Sequence, residues 1–126
     1  MVTQQNKQLI ESYFAAVSGQ PKPPSLVARF VNDAELAHHI ALFEEAFPAY
    51  ELIAEDMIAE DDKVAVRATF RGIQQHAFNG IPPTNKAAEI SVMLIYRIAN
   101  GKIVQHWMNA DSLSLLQQIG ALPTPS

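Results

Sequence analysis

The chain has 126 residues, carries 9 Lys+Arg against 13 Asp+Glu for a formal charge of −4, and contains no cysteine. That is the size of one domain, residues 1–126, and a domain of this size buries roughly two-thirds of its unfolded surface and folds without a disulfide or a metal. Thiol catalysis, iron–sulfur clusters and zinc–thiolate sites are excluded, and no basic stripe offers nucleic acid a surface.

Thr3-Gln4-Gln5-Asn6-Lys7 is polar and lacks the apolar run of a signal peptide. Charges interrupt every later apolar stretch short of the roughly 20 residues that cross a bilayer, so a cytoplasmic chain without membrane contact is expected. Leu9, Ile10, Tyr13, Phe14 and Val17 form one stripe at helical spacing, ended by Gly19 and Pro21. Lys22-Pro23-Pro24 is a stiff connection, after which Ser25 offers a cap to a short helix carrying Leu26 and Phe30. Asn32 and Glu35 read as a capping box for a third helix with the stripe Leu36, Ile40, Phe43 and Phe47, stopped by Pro48.

The period then becomes alternating. Four strands are predicted over about 52–59, 64–74, 88–99 and 103–110. Glu60-Asp61-Asp62 joins the first pair and Asn100-Gly101 joins the last, because Asn and Gly tolerate positive φ. A longer loop, 75–86, separates the middle strands. The chain closes with a short helix over 113–119, capped by Asp111 or Ser112 and ended by Gly120, and the Pro123–Ser126 tail is expected to fray. Helices first and a strand meander afterwards mean α+β: a curled antiparallel sheet with three helices on its concave face and a cone-shaped cavity at one end.

Four segments carry a resemblance. Ala46-Phe47-Pro48, the run from Gly80 to Lys86 (GIPPTNK), the run from Tyr96 to Trp107 (YRIANGKIVQHW), and Asp111 with the run from Leu115 to Gly120 (LLQQIG) are similar to motifs of SnoaL-like proteins, in the right order from Phe47 to Gly120. These belong to the nuclear transport factor two-like superfamily. The resemblance implies a cone-shaped fold that is often a homodimer through the sheet. It also implies chemistry like that of polyketide cyclases, which close rings by aldol condensation on a small apolar or polyketide-like ligand.

In such cyclases the carboxylate after the His-Trp pair acts as acid/base, and Asp111 stands at that spacing. Taking a proton from a carbon next to a carbonyl needs a base whose pKa is raised towards neutrality, as an apolar pocket does to a carboxylate. Asp111 also fits the N-cap of the last helix. Regular alternation places Gln105, Trp107, Asn109 and Asp111 on one face of the last strand and Val104, His106 and Met108 on the other, unless a bulge intervenes. The Trp107 face is expected to line the pocket, with Asn109 and Gln105 as oxyanion donors. Relatives often carry a histidine where this chain has Gln74, which can donate a hydrogen bond but cannot shuttle a proton. His76, His39, Tyr13, Phe14 and Phe43 complete the expected ligand-binding set.

No His-x-x-x-His spacing exists, and no metal or cofactor is expected. The leading expectation is therefore a cofactor-independent cyclase or isomerase. A non-catalytic ligand-binding or dimerisation module is the alternative. Epoxide-hydrolase-like water addition ranks third, because Arg67 and Arg97 lie in strands with no obvious carboxylate partner.

Overall fold

A computed structural model of the chain describes residues 2–122. The Pro123–Ser126 tail lies outside the described residues. Helix α1 (Val2–Val17) buries Ile10, Tyr13, Phe14 and Val17, four of the five stripe residues. Gly19 then takes φ +69° and its amide donates to the Tyr50 carbonyl at 2.9 Å, which turns the chain off the helix axis.

Helix α2 (Pro24–Val27) begins at a proline, so Pro23 occupies the cap and no side chain caps it. Ser25, expected as the cap, lies inside the helix. Helix α3 (Ala34–Ala46) is capped by Asp33, whose carboxylate accepts from the Glu35 and Leu36 amides at 3.1 and 3.2 Å. The expected Asn32 cap is one residue early, and Glu35 closes no capping box.

Strands β1 (Glu51–Glu60), β2 (Lys63–Ile73), β3 (Ala87–Ala99) and β4 (Lys102–Ala110) pair antiparallel in the order β1-β2-β3-β4, a curled meander left unclosed. Alternation decides the faces. Val64, Val66, Ala68 and Phe70 of β2, and Ile90, Val92, Leu94, Tyr96 and Ile98 of β3, are buried under the helices. Asn100 and Gly101 turn the last hairpin with φ +53° and +74°. At Gly72 the helix side of the sheet is so close that an added Cβ would sit 3.2 Å from the Cβ atoms of Phe47 and Tyr50. Helix α4 (Ser112–Gln118) closes the domain and ends at Gly120, φ +85°.

The 75–86 loop is organised from beneath. Gln74 is fully buried; its amide nitrogen donates to the Ile81 and Pro82 carbonyls, both at 3.2 Å, and its oxygen accepts from the Thr84 hydroxyl at 2.9 Å. Asn85 sits at φ +57°, a left-handed conformation that Asn tolerates. Among the described residues no helix is long and apolar enough to cross a membrane.

Candidate active site

The curl of the sheet and helices α1, α3 and α4 enclose a cavity of about 60 Å³. That is far below the ~300–1,000 Å³ of drug-sized pockets, so it suits a small molecule. Its wall is mostly aliphatic and aromatic, with Leu36, Ile40 and Phe43 from α3 facing Ile90, Val92 and Leu94 across the space. No Asp, Glu, Lys or Arg is among the lining residues. The polar exceptions are Tyr13, Tyr50, Tyr96, His39 and Ser112.

The three tyrosines are 2%, 7% and 1% exposed, so almost all of each ring is packed. Tyr13 and Tyr96 meet edge to face with centroids 6.1 Å apart, while Tyr50 packs against Phe70 at 5.1 Å. Burial pushes all three phenols well above the ordinary range, and each of the other two would further resist ionisation of Tyr96. They are neutral O–H groups at any physiological pH. None of the three hydroxyls has a hydrogen-bond partner among the described residues. Every fully buried side-chain N or O there does have one, so these hydroxyls meet open space, and the space all three residues border is the cavity.

His39 stands on α3 one turn before Phe43, with ring centroids 4.6 Å apart. Burial lowers its pKa from 6.5, and the neighbouring His106 and His38 lower it further. It is a neutral imidazole with a lone pair at pH 7. No other lining side chain titrates near neutrality.

Beside it, Asp33 and His106 form a dyad, Oδ2 to Nδ1 at 2.8 Å, each side chain about nine-tenths buried. Backbone pairing brings them together: the Asn32 amide donates to the Ile103 carbonyl at 2.7 Å and the Ile103 amide to the Phe30 carbonyl at 2.8 Å. Burial raises the Asp33 pKa, but the bond from His106 and those from the Leu36 and Glu35 amides outweigh it, and the net shift is downward. An ionised Asp33 keeps the proton on His106 Nδ1 and fixes the ring.

A second set of contacts fixes Tyr50. The Lys22 ammonium has a fully buried side chain and donates to the Gln20 and Tyr50 carbonyls, both at 2.9 Å, and to Glu44 at 3.1 Å. It lies 3.9 Å from the Tyr50 ring centre. Burial lowers its pKa, opposed by the bond and charge of Glu44. Glu44 also receives the Ala49 amide on both oxygens, at 3.1 and 3.0 Å, holding Ala49 at φ +56°. That conformation costs a non-glycine residue about 1–2 kcal/mol, so the clamp spends energy to place the next residue, Tyr50.

Of the expected site residues, the structure places Tyr13, His39 and Phe43 in the wall. Others lie elsewhere. Asp111 is exposed and caps α4, accepting from the Ser114 amide at 3.1 Å. Gln105, Trp107 and Asn109 are exposed on the opposite face of β4, Trp107 at 43%, while Met108 and Ala110 line the cavity. The alternation from Gln105 onward is as expected, and what differs is which set faces inward: Arg97 pairs with Gln105 but Ile98 pairs with Ile103, so a bulge at Val104 changes the phase relative to Ile103. Ile103, fully buried, therefore shares its side of the sheet with His106 rather than Trp107. Gln74 spends its amide on the loop, His76 is exposed, and Phe14 packs behind Tyr13 and Tyr96 at 5.7 and 6.2 Å. Tyr96 and the Asp33–His106 dyad were missed. Tyr96 could have been found from its phase with Ile90, Val92 and Leu94.

A curled unclosed sheet, helices across its concave face and a small apolar cavity between them define the α+β architecture of the chain. The chain belongs to the SnoaL-like polyketide cyclase family, whose model matches residues 3–119. It is similar to AclR of Streptomyces galilaeus, a proposed hydroxylase, with 24% identity, TM-score 0.84, and 98% of this chain and 86% of that chain covered. It is also similar to TsrD of Streptomyces laurentii (25%, TM-score 0.81, covering 97% and 99%). A phenazine biosynthesis-related protein of Pseudomonas aeruginosa is a third (16%, TM-score 0.75, covering 99% and 90%). No curated protein matches. Descriptions this different on one fold leave the reaction to be argued from the site.

Proposed function

We propose that this chain is a cofactor-independent cyclase or isomerase acting by proton abstraction beside the carbonyl of a small, uncharged, mostly apolar compound, with His39 as the base. The supporting observation is that His39 alone in the cavity wall titrates near neutrality, and that burial keeps it neutral. Its lone pair takes the α-proton and the C–H electron pair moves into an enolate; the imidazolium then returns the proton at another carbon in an isomerisation, or, where the enolate carbon bonds to a second carbonyl carbon of the same molecule, to the alkoxide oxygen that this closure leaves. Asp33 and His106 are positioning residues that tune His39. General base catalysis contributes typically 10²–10⁴-fold, and stabilisation of the developing oxygen charge must add the rest.

The test needs no natural substrate. Exchange of the α-protons of cyclohexanone in deuterated buffer, followed by NMR, should fall about 100-fold or more in His39→Gln. Asp111→Asn should exchange at the unmodified rate. Loss in the Asp111 variant alone would restore the carboxylate as base.

A ligand-binding module without turnover is the second reading, favoured by the cap role of Asp111. It predicts probe binding with no exchange. Water addition to an epoxide has no support in the wall, where neither a carboxylate nor an arginine is found among the described residues.

The homodimer implied by the family would use the outer face of β3 and β4. Ile95 and Trp107 face each other across the strands, Met93 lies beside them, and the three are 40%, 43% and 54% exposed. Covering such a patch with its own copy is the expected use of an apolar sheet face.

A further inference from the structure

We infer that Tyr13, Tyr50 and Tyr96 together form a neutral oxyanion-binding site, selecting small ring compounds that carry one enol, enolate or phenol oxygen over carboxylates. The inference deepens the reading of the cavity as a ligand site and rests on it. Three O–H donors from α1, from the entry to β1 and from β3 border one space of about 60 Å³. None has a hydrogen-bond partner among the described residues. An unused phenol on a packed ring is costly unless something in the cavity accepts its proton.

The chemistry of that acceptor follows from what surrounds it. An enolate or phenolate oxygen has three lone pairs and one attachment, as many acceptor sites as the cavity wall has phenol donors. A carboxylate has two oxygens and about four lone-pair sites, and sheds more hydration than three neutral donors replace. The Lys22 ammonium cannot serve it, since its three donors are held by Gln20, Glu44 and the Tyr50 backbone. Apart from His39 and Ser112 the remaining wall is apolar, so a second strongly hydrated or charged group on the ligand would lose its water without full replacement. The donors also stay protonated as the ligand gains charge, which is what transition-state stabilisation of an enolate requires. Lys22, Glu44 and the strained Ala49 are positioning residues that hold the Tyr50 ring at the site.

Titration of the whole chain with 4-nitrophenol, followed by the absorbance of the bound phenol, tests this directly. One site per chain is expected, with 4-nitrobenzoate at least about tenfold weaker. Tyr96→Phe should weaken 4-nitrophenol at least about tenfold, the loss of one charge-assisted hydrogen bond. Tyr13→Phe is the second variant should Tyr96→Phe fold poorly, with circular dichroism checking each. Equal binding of the benzoate, no binding of the phenol, or undiminished binding in the folded tyrosine variants would overturn the inference. Because the titration reads binding without turnover, its outcome is independent of whether His39 removes a proton.

Discussion

The two faces of β4 differ by one residue of phase and by their whole chemistry. Met108 and Ala110 close a cavity whose wall holds no formal charge, and His106 on the same side is locked to Asp33. Gln105, Trp107 and Asn109 look outward, where Gln105 accepts from Arg97 at 3.1 Å. The bulge at Val104 decides which set faces inward, so the most family-like residues of the strand are not automatically the reactive ones. A motif can mark the fold while the chemistry sits on an adjacent helix.

The same charge placed on each side of the sheet should have very different consequences. Val92→Asp in β3 buries an unpaired carboxylate in the wall and should cost about 3–5 kcal/mol in urea denaturation. Its neighbour Met93→Asp, on the outer face, should change monomer stability by about 0.5 kcal/mol or less. Similar costs at both positions would mean that the faces are misassigned. Gln74→Ala comes next. It strips three hydrogen bonds from the 75–86 loop and should cost about 2–3 kcal/mol, while the cavity probe still binds. Asp111→Ala should cost only about 1 kcal/mol, the value of an N-cap. Trp107→Lys should leave the fold intact and, in sedimentation velocity, shift the chain towards monomer.

The smallest effect sharpens the role of the dyad. The folded pKa of Asp33 lies below its unfolded value of about 3.9, so its contribution is complete above that pH. The contribution is lost as pH falls through the lower folded value. Asp33→Asn should therefore lower stability at neutral pH by that contribution and flatten the acid limb, where the unmodified chain loses the same contribution as pH falls. An unchanged acid limb would show that the pair contributes nothing to folding.

Much of this was legible in the sequence because it depends on local periodicity. The stripe Leu36, Ile40, Phe43, Phe47 and the alternation from Ala88 to Ile98 each have one consistent burial solution, and Asn100-Gly101 has one turn geometry. Within the cavity, Tyr13, His39 and Phe43 could be found because they extend helix stripes. The last strand misled because regular alternation carries no mark of a bulge at Val104, and a lone Trp fits a cavity wall as well as an interface. Asp33 and His106 are 73 positions apart, joined only by the pairing of the segment after α2 with the start of β4, which no local pattern encodes. The burial of Lys22 was equally hidden, since Lys22-Pro23-Pro24 reads only as a stiff connection until Glu44 and Tyr50 are seen around the lysine.

The most direct measurement is the pH profile of cyclohexanone α-proton exchange. With His39 as base, the rate should rise with pH through an apparent pKa below 6.5 and then level off, and His39→Gln should abolish that step. A profile that keeps its step in His39→Gln, or loses it in Asp111→Asn, would contradict the account.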